Sequence, residues 1–542
     1  MRDSRTIPST IEYERARIEV FLVKRSLAIL LTLVLGLGVV LSGCSGASKD
    51  DSQAGTDVNA QKPTETEPVY GGQLIYGMTQ DLVSLDPHES TDAGTRCVVF
   101  NIYEGLVKPT AAGDLVPAVA ESYDISSDAK SYTFTLRDQI RFQNGDPVTI
   151  KDIEYSIHRY AELSGESSAF SLALDQVTCP DDKTVVITLK QPDSEFLSQL
   201  TLAIIPDGSD PVQNPIGTGP FKVDTYKVGE YLDLSKNEYY WVSGAPYLDS
   251  VRFKFIADVN TAFTELQAGT IDVLNYLTTA QVDALQKSAQ DQFRIVEGNM
   301  NLVHALFLNN DFEPFKDVRV RQAMCYAVDR DAINQFMFGG KSTLIGSHMI
   351  PSLQTWYEPS CADAYPHDVQ KAKELLAEAG YGDGFELTIT VPSQYSQHVD
   401  TAQIIADQLS EVGIKATLKQ IEWSSWLTDV YKGRQYEATV IGFDGKLNPS
   451  DWLAKYGTND SKNMTNYSNA EYDELLGKAL AAVDQGEKAA YYKQMQLNLS
   501  ENAASVYLED PADFVAISSR FDGYYFYPTA AWDVSTIYMV KE

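Results

Sequence analysis

The sequence predicts an α/β fold of more than one lobe, and three observations point to it. At 542 residues the chain is too long for one hydrophobic core. From Tyr70 to the C-terminus, strand-like and helix-like segments interleave, with no tandem repeat or low-complexity block. Both structural periods are legible there, two residues for strands and 3.6 for helices.

Ser131 to Arg137 places Tyr132, Phe134 and Leu136 on one face, and Lys183 to Lys190 does the same with Val185, Ile187 and Leu189. Both read as half-buried strands. Val320, Ala323, Met324, Ala327 and Val328 recur at helical spacing, with Asp317 placed to cap the N-terminus. Further helices are predicted over Lys371 to Ala379, closed by Gly380, and over Thr401 to Val412, closed by Gly413. Thr149 followed three residues on by Asp152 resembles a capping box before a helix over Ile153 to Leu163.

The composition, 44% hydrophobic and 22% charged, is that of a globular protein. The formal net charge is -32. Residues 1–43 carry six Lys/Arg against four acids, so the rest of the chain carries -34. Such a surface repels phosphate backbones, and nucleic acid is not an expected partner. Cys97, Cys179, Cys325 and Cys361 are widely spaced with no C-x-x-C pair, so no zinc or disulfide framework can be read. Cys325 falls on an apolar helix face and is expected to be a buried thiol, with one or two disulfides left open.

No G-x-S-x-G elbow, P-loop, H-E-x-x-H pair or dinucleotide fingerprint occurs, and no catalytic residue, metal or cofactor is expected. The six histidines are scattered singly, which favours surface or hydrogen-bonded core roles. Aromatic residues are abundant, with 31 Tyr, 21 Phe and 6 Trp. Tyr and Trp combine a rigid apolar face with a polar edge, which suits a cleft that desolvates a small ligand, although most belong to the core.

Lys24-Arg25 precedes sixteen almost wholly apolar residues, Ser26 to Leu41, and then Ser42-Gly43-Cys44. A basic region, a short apolar region and small residues before a cut make a signal peptide over 1–43. The apolar stretch is short of the roughly 20 residues that a membrane span needs. Leu41-Ser42-Gly43-Cys44 resembles the bacterial lipobox, which implies lipidation at Cys44 and a membrane anchor on the extracytoplasmic side. Residues 44–69 are poor in aliphatics and are expected to form a flexible tether wandering about 25–30 Å. Glu12, Glu14 and Glu19 do not suit a basic leader, so translation is expected to start near Val20 or Val23.

A series of motifs then runs through the soluble part: Gly71-Gly72-Gln73-Leu74, Ser84-Leu85-Asp86-Pro87-His88, Tyr103-Glu104-Gly105-Leu106-Val107, and the block from Pro117 to Arg159. Gly217-Thr218-Gly219-Pro220-Phe221, Asn237 with Tyr240-Trp241, Leu266 to Asp272, and Pro314 to Ile333 follow in order. In these motifs the chain resembles the extracellular solute-binding proteins that serve importers of peptides and, in some members, of nickel. The resemblance implies a two-lobed, periplasmic-binding-protein-like fold closing on its solute about a hinge. It implies a first lobe of 70–303 plus 514–542, a second of 306–506, and hinge crossings at 304–305 and 507–513. It further implies a monomer, a peptide-like solute, and permease subunits with their ATPases as partners.

Candidate ligand-binding residues implied by the resemblance are Trp423, Phe443, Asp444, Lys446, Tyr395 and Thr91. Trp423 matches a pocket tryptophan of the dipeptide binders. Lys446 falls where those relatives carry an aspartate that pairs with the peptide amine, and a lysine there would repel an ammonium. Either Asp444 takes over that role or the ligand has no free amine. The carboxylate-holding arginine is missing too, since Val391 to Gln397, including Tyr395, contains none. Strict dipeptide specificity is therefore not expected. The alternatives are a peptide sensor or surface interaction protein on the same scaffold, or a receptor for a non-peptide solute, such as one with an acidic group facing Lys446, with an exported hydrolase the remote one.

Overall fold

A computed structural model describes residues 67–90, 92–166, 168–444 and 447–541. Two large mixed sheets organise the chain. The first has seven strands in the order Phe293–Asn299, Ala512–Ser518, Val273–Leu274, Gln73–Met78, Ser250–Phe255, Tyr231–Lys236, Phe221–Lys227. The second has six, in the order Thr343–Leu344, Val506–Asp510, Leu302–Leu308, Ala438–Asp444, Glu386–Pro392, Lys415–Ile421. A four-stranded antiparallel sheet, which includes Ser131–Leu136 and Thr184–Leu189, is inserted into the first lobe.

The predicted elements show why these residues fold as they do. Tyr132, Phe134, Val185 and Ile187 point into one core from paired strands. The helix Ile150–Ser164 starts at the predicted capping box of Thr149 and Asp152, and Asp317 caps Val318–Ala327 by accepting the Arg319 N–H. Gly380 and Gly413, at φ 88° and 86°, take the left-handed turns that end their helices. The helix predicted from Thr401 begins earlier, at Ser396, and ends at Ser410. Its first turn carries Ser396, Gln397, His398 and Asp400, which hide the apolar period.

The sheets are joined by two chain crossings. The first, Met300–Asn301, lies between strands Phe293–Asn299 and Leu302–Leu308, and Asn301 adopts φ 57°. The second is Pro511, between Val506–Asp510 and Ala512–Ser518. Residues 304–305, expected as a crossing, lie inside a strand whose residues 303–308 are all buried. The chain turns where a left-handed asparagine breaks the ladder. The crossings are stitched together: Met300 N–H donates to the Pro511 carbonyl at 2.8 Å, and Leu302 N–H donates to Asp510 Oδ1 at 2.9 Å. Each lobe builds its own cores, centred on Leu74, Phe253 and Ile517 in the first and on Leu306, Ile389 and Trp452 in the second.

Away from the crossings the lobes also touch at a polar junction. Glu195, 8% exposed, accepts hydrogen bonds from the Ser450 N–H and hydroxyl and from the Tyr492 hydroxyl. Lys488 Nζ donates to the Ser194 carbonyl at 3.1 Å. No described helix is long and apolar enough to cross a membrane.

Candidate solute-binding site

A cavity of about 960 Å³ lies against the first lobe and reaches Asp444 and Leu447 of the second. Its floor is built by close backbone approach. At Gly105 a Cβ would meet the Leu200 carbonyl at 2.5 Å, so no side chain fits there. Helix Ala93–Val99, capped by Asp92 through the Thr95 N–H, presents Arg96, Cys97 and Val99 to the cavity. Phe100 and Tyr103 follow on the same wall, Tyr103 being held by its hydroxyl on the Leu85 carbonyl at 3.0 Å.

The opposite part of that wall is the C-terminal segment Tyr524 to Ser535, which returns to the first lobe after the second crossing. Trp532 stacks on Tyr76, centroids 5.0 Å apart, and its carbonyl accepts from Asn101 Nδ2 at 2.7 Å. The Tyr76 hydroxyl donates to Asn275 Oδ1, and Asn275 Nδ2 donates in turn to the Tyr524 hydroxyl. Phe526 covers Gly298, where a Cβ would come within 2.3 Å of the ring.

Among the acids that line the cavity and are not exposed, Glu104 and Asp533 have donors for their oxygens and Asp513 keeps one oxygen without a donor. Glu104, buried, accepts from Lys108 at 3.0 Å, from Tyr240 at 3.0 Å and from Trp241 Nε1 at 2.7 Å. Asp533 accepts from the Tyr527 hydroxyl at 2.8 Å. Asp513 is 5% exposed and its Oδ1 accepts no hydrogen bond. Burial pushes its carboxyl up to about 7. Burial likewise pushes the free Cys97 thiol up to about 12.

The residues expected at the ligand are distributed differently. Asp444 lines the cavity. Trp423, Tyr395 and Phe443 form an aromatic wall on the second lobe, away from the cavity lining. Trp423 stacks on the buried Trp426 with centroids 5.2 Å apart and planes at 3°, and Tyr395 meets Trp423 edge-on at 5.5 Å. Phe443 packs on Phe307, with Lys455 Nζ 5.2 Å from its centroid. Burial brings Lys455 down to about 8. Thr91, Lys446 and Cys44 lie outside the described residues.

Behind Phe443, Gly442 N–H donates to His398 Nε2 at 3.3 Å, which leaves the ring proton on Nδ1, 3.2 Å from His304 Nε2. His304 Nδ1 in turn lies 3.5 Å from Glu509. Two histidines that are far apart in sequence are thus core partners. Cys97, Cys179, Cys325 and Cys361 are free thiols. Among the described residues no group of three His, Cys, Asp or Glu converges as a metal ion would require.

Residues 114–466, well over half the chain, match the model of the bacterial extracellular solute-binding proteins, family 5 (middle region). The chain belongs to this family. The solute-binding protein is 27% identical to the glutathione-binding protein GsiB of Pectobacterium atrosepticum, over 85% of this chain and 93% of that one. It is 27% identical to the oligopeptide-binding protein AppA of Bacillus subtilis, over 93% and 97%. In structure it matches MppA, a murein tripeptide binding protein in an unliganded open form, at a TM-score of 0.79 and 23% identity, covering 89% of this chain and 99% of the other.

Sequence reasoning missed Asp513, Tyr276 and the Tyr524–Trp532 wall. The run Tyr524-Tyr525-Phe526-Tyr527 was a visible signal, four consecutive aromatic residues in a segment assigned to the first lobe.

Proposed function

We propose that this solute-binding protein is an extracytoplasmic receptor, lipid-anchored at Cys44, that takes up a peptide-like solute and delivers it to an ATP-driven permease. The observation that carries this reading is the cavity itself. At about 960 Å³ it holds a solute of several residues, and its walls alternate aromatic faces with hydrogen-bonding edges. Names among the relatives, for glutathione, oligopeptides and a murein tripeptide, support peptide-like chemistry.

The mechanism follows from the two crossings. Asp444 already borders the cavity, and a solute held on the first lobe reaches the Trp423–Phe443 wall only when the lobes swing together about Met300–Asn301 and Pro511. A solute that contacts both lobes stabilises the closed population by its extra contacts there, and a permease reads that population. Nothing in the cycle changes the solute covalently.

Uptake of labelled tri- to pentapeptides in a deletion strain tests the reading. Wild type is expected to restore uptake, and Cys44→Ser is expected to release the protein from the membrane and leave uptake low. Uptake unchanged in the deletion strain would remove the transport role and favour a sensor.

A further inference from the structure

We infer that Asp513 is the anchor for a cationic group of the bound solute, an ammonium or guanidinium, on the first-lobe wall of the cavity. Five carboxylate residues line that cavity, Glu89, Glu104, Asp444, Asp513 and Asp533, against the cations Arg96 and Lys108. Four of the five have what a carboxylate needs. Glu104 and Asp533 accept hydrogen bonds from named donors, and Glu89 and Asp444 are exposed to water. Asp513 is nine-tenths buried and has an oxygen without a partner. A buried oxygen in that state is costly unless something supplies the missing donor, and a ligand cation entering beside it does so.

The fold builds this position from distant segments. Val273–Leu274 pairs antiparallel with Ile517–Ala516, and Leu277 N–H donates to the Phe514 carbonyl at 3.0 Å. That pairing sets Tyr276, at φ 60°, beside Asp513. Tyr276 and Tyr524 then flank the carboxylate as aromatic neighbours in the same cavity. Aromatic faces around an acid favour a cation over a neutral polar group.

The groups facing Asp513 fix the pH dependence. They are Asp510 in the strand before the second crossing, Tyr276 and Tyr524 at the wall, and Cys97 on the helix, with Arg96 near Cys97. Tyr276, Tyr524 and Cys97 keep their protons far above neutral pH. Asp510, raised by burial, does not line the cavity. Asp513, lifted to about 7, is protonated in much of the empty protein at pH 6. A cation favours the ionised form, so its binding releases a proton and tightens as pH rises through about 7.

This assignment rests on the solute-receptor reading but not on the solute being a peptide, and the test separates the two. Full-length protein in detergent is titrated by native mass spectrometry with three probes. These are tri- to pentapeptides lacking Lys and Arg, the same mixture N-acetylated, and a set of small non-peptide amines. The free-amine peptides are expected to bind at least about tenfold more tightly than the acetylated ones, with Asp513→Asn removing the difference and Asp444→Asn keeping it. Equal binding of both peptide mixtures by wild type would overturn the Asp513 assignment and leave the peptide reading standing. Loss of the difference in Asp444→Asn instead would also overturn it. Binding of non-peptide amines alone, weakened by Asp513→Asn, would keep the assignment and sink the peptide reading. No binding of any probe would sink both. Should Asp513→Asn fail to fold, wild type decides: amine affinity rising about fivefold from pH 5.5 to 7.5 is expected, and a flat profile overturns the assignment.

Discussion

Glu195 and Asp513 are both nearly buried carboxylates, 8% and 5% exposed, yet their surroundings are opposite. Glu195 sits at the junction between lobes and accepts from Ser450 and Tyr492, with Lys488 close behind it. Asp513 sits on a cavity wall with an oxygen that nothing reaches. Burial raises both acids above the ordinary carboxylate range, but only Glu195 has side-chain donors and a lysine pulling it back. A buried acid that the protein satisfies belongs to the architecture. One that it leaves unsatisfied inside a cavity is waiting for a ligand.

The largest test of that contrast is Glu195→Ala. It strands the Tyr492 hydroxyl and removes the nearby negative charge that favours the Lys488 ammonium, and urea denaturation is expected to show a loss of about 2–4 kcal/mol. A loss below about 0.5 kcal/mol would mean that the junction is no more than a surface contact. Asp513→Asn should do the reverse. A raised carboxyl contributes stability that is full below its unfolded value near 3.8 and is lost as pH rises through about 7. Removing it should therefore help more at pH 8 than at pH 5, by about 1–3 kcal/mol. Equal effects at the two pH values would contradict the raised carboxyl.

A buried base extends the contrast. Burial, and next the neighbouring His304, depress His398 to about 3. Its contribution is present above the unfolded value near 6.5 and is lost as pH falls toward 3. His398→Gln should flatten the acid slope between pH 6.5 and 4.5 by about 1–2 kcal/mol, measured as melting temperature against pH. An unchanged slope would show that His398 is charged in the fold. The smallest effect is on the second-lobe wall, where Trp423→Ala should weaken solute affinity about tenfold while the protein stays folded. Unchanged affinity in calorimetry would take Trp423 out of the closed site.

Much of the fold was legible in local signals. The alternation at Tyr132–Leu136, the cap at Asp317 and the box at Thr149 each depend on residues within a few positions of one another, and each appears in the structure. The site was less legible because its parts are distant in sequence. Asp513 meets Tyr276 only through the pairing of Val273–Leu274 with Ile517–Ala516. The first crossing escaped for a related reason: Leu302 to Leu308 reads as one apolar run, and the break before it is a single asparagine whose left-handed backbone no periodicity reveals. Trp423, Tyr395 and Phe443 were expected at the ligand from the family resemblance, and the structure clusters them on the second lobe outside the cavity lining.

The central claim, that a solute is captured in the cavity against the first lobe, is tested most directly by native mass spectrometry of the full-length protein released from its own cells. Ala530→Trp, which fills the cavity from its lining, serves as the comparison. A small-molecule mass of peptide-like composition is expected on wild type and not on the variant. No adduct on wild type, or the same adduct on Ala530→Trp, would contradict the claim.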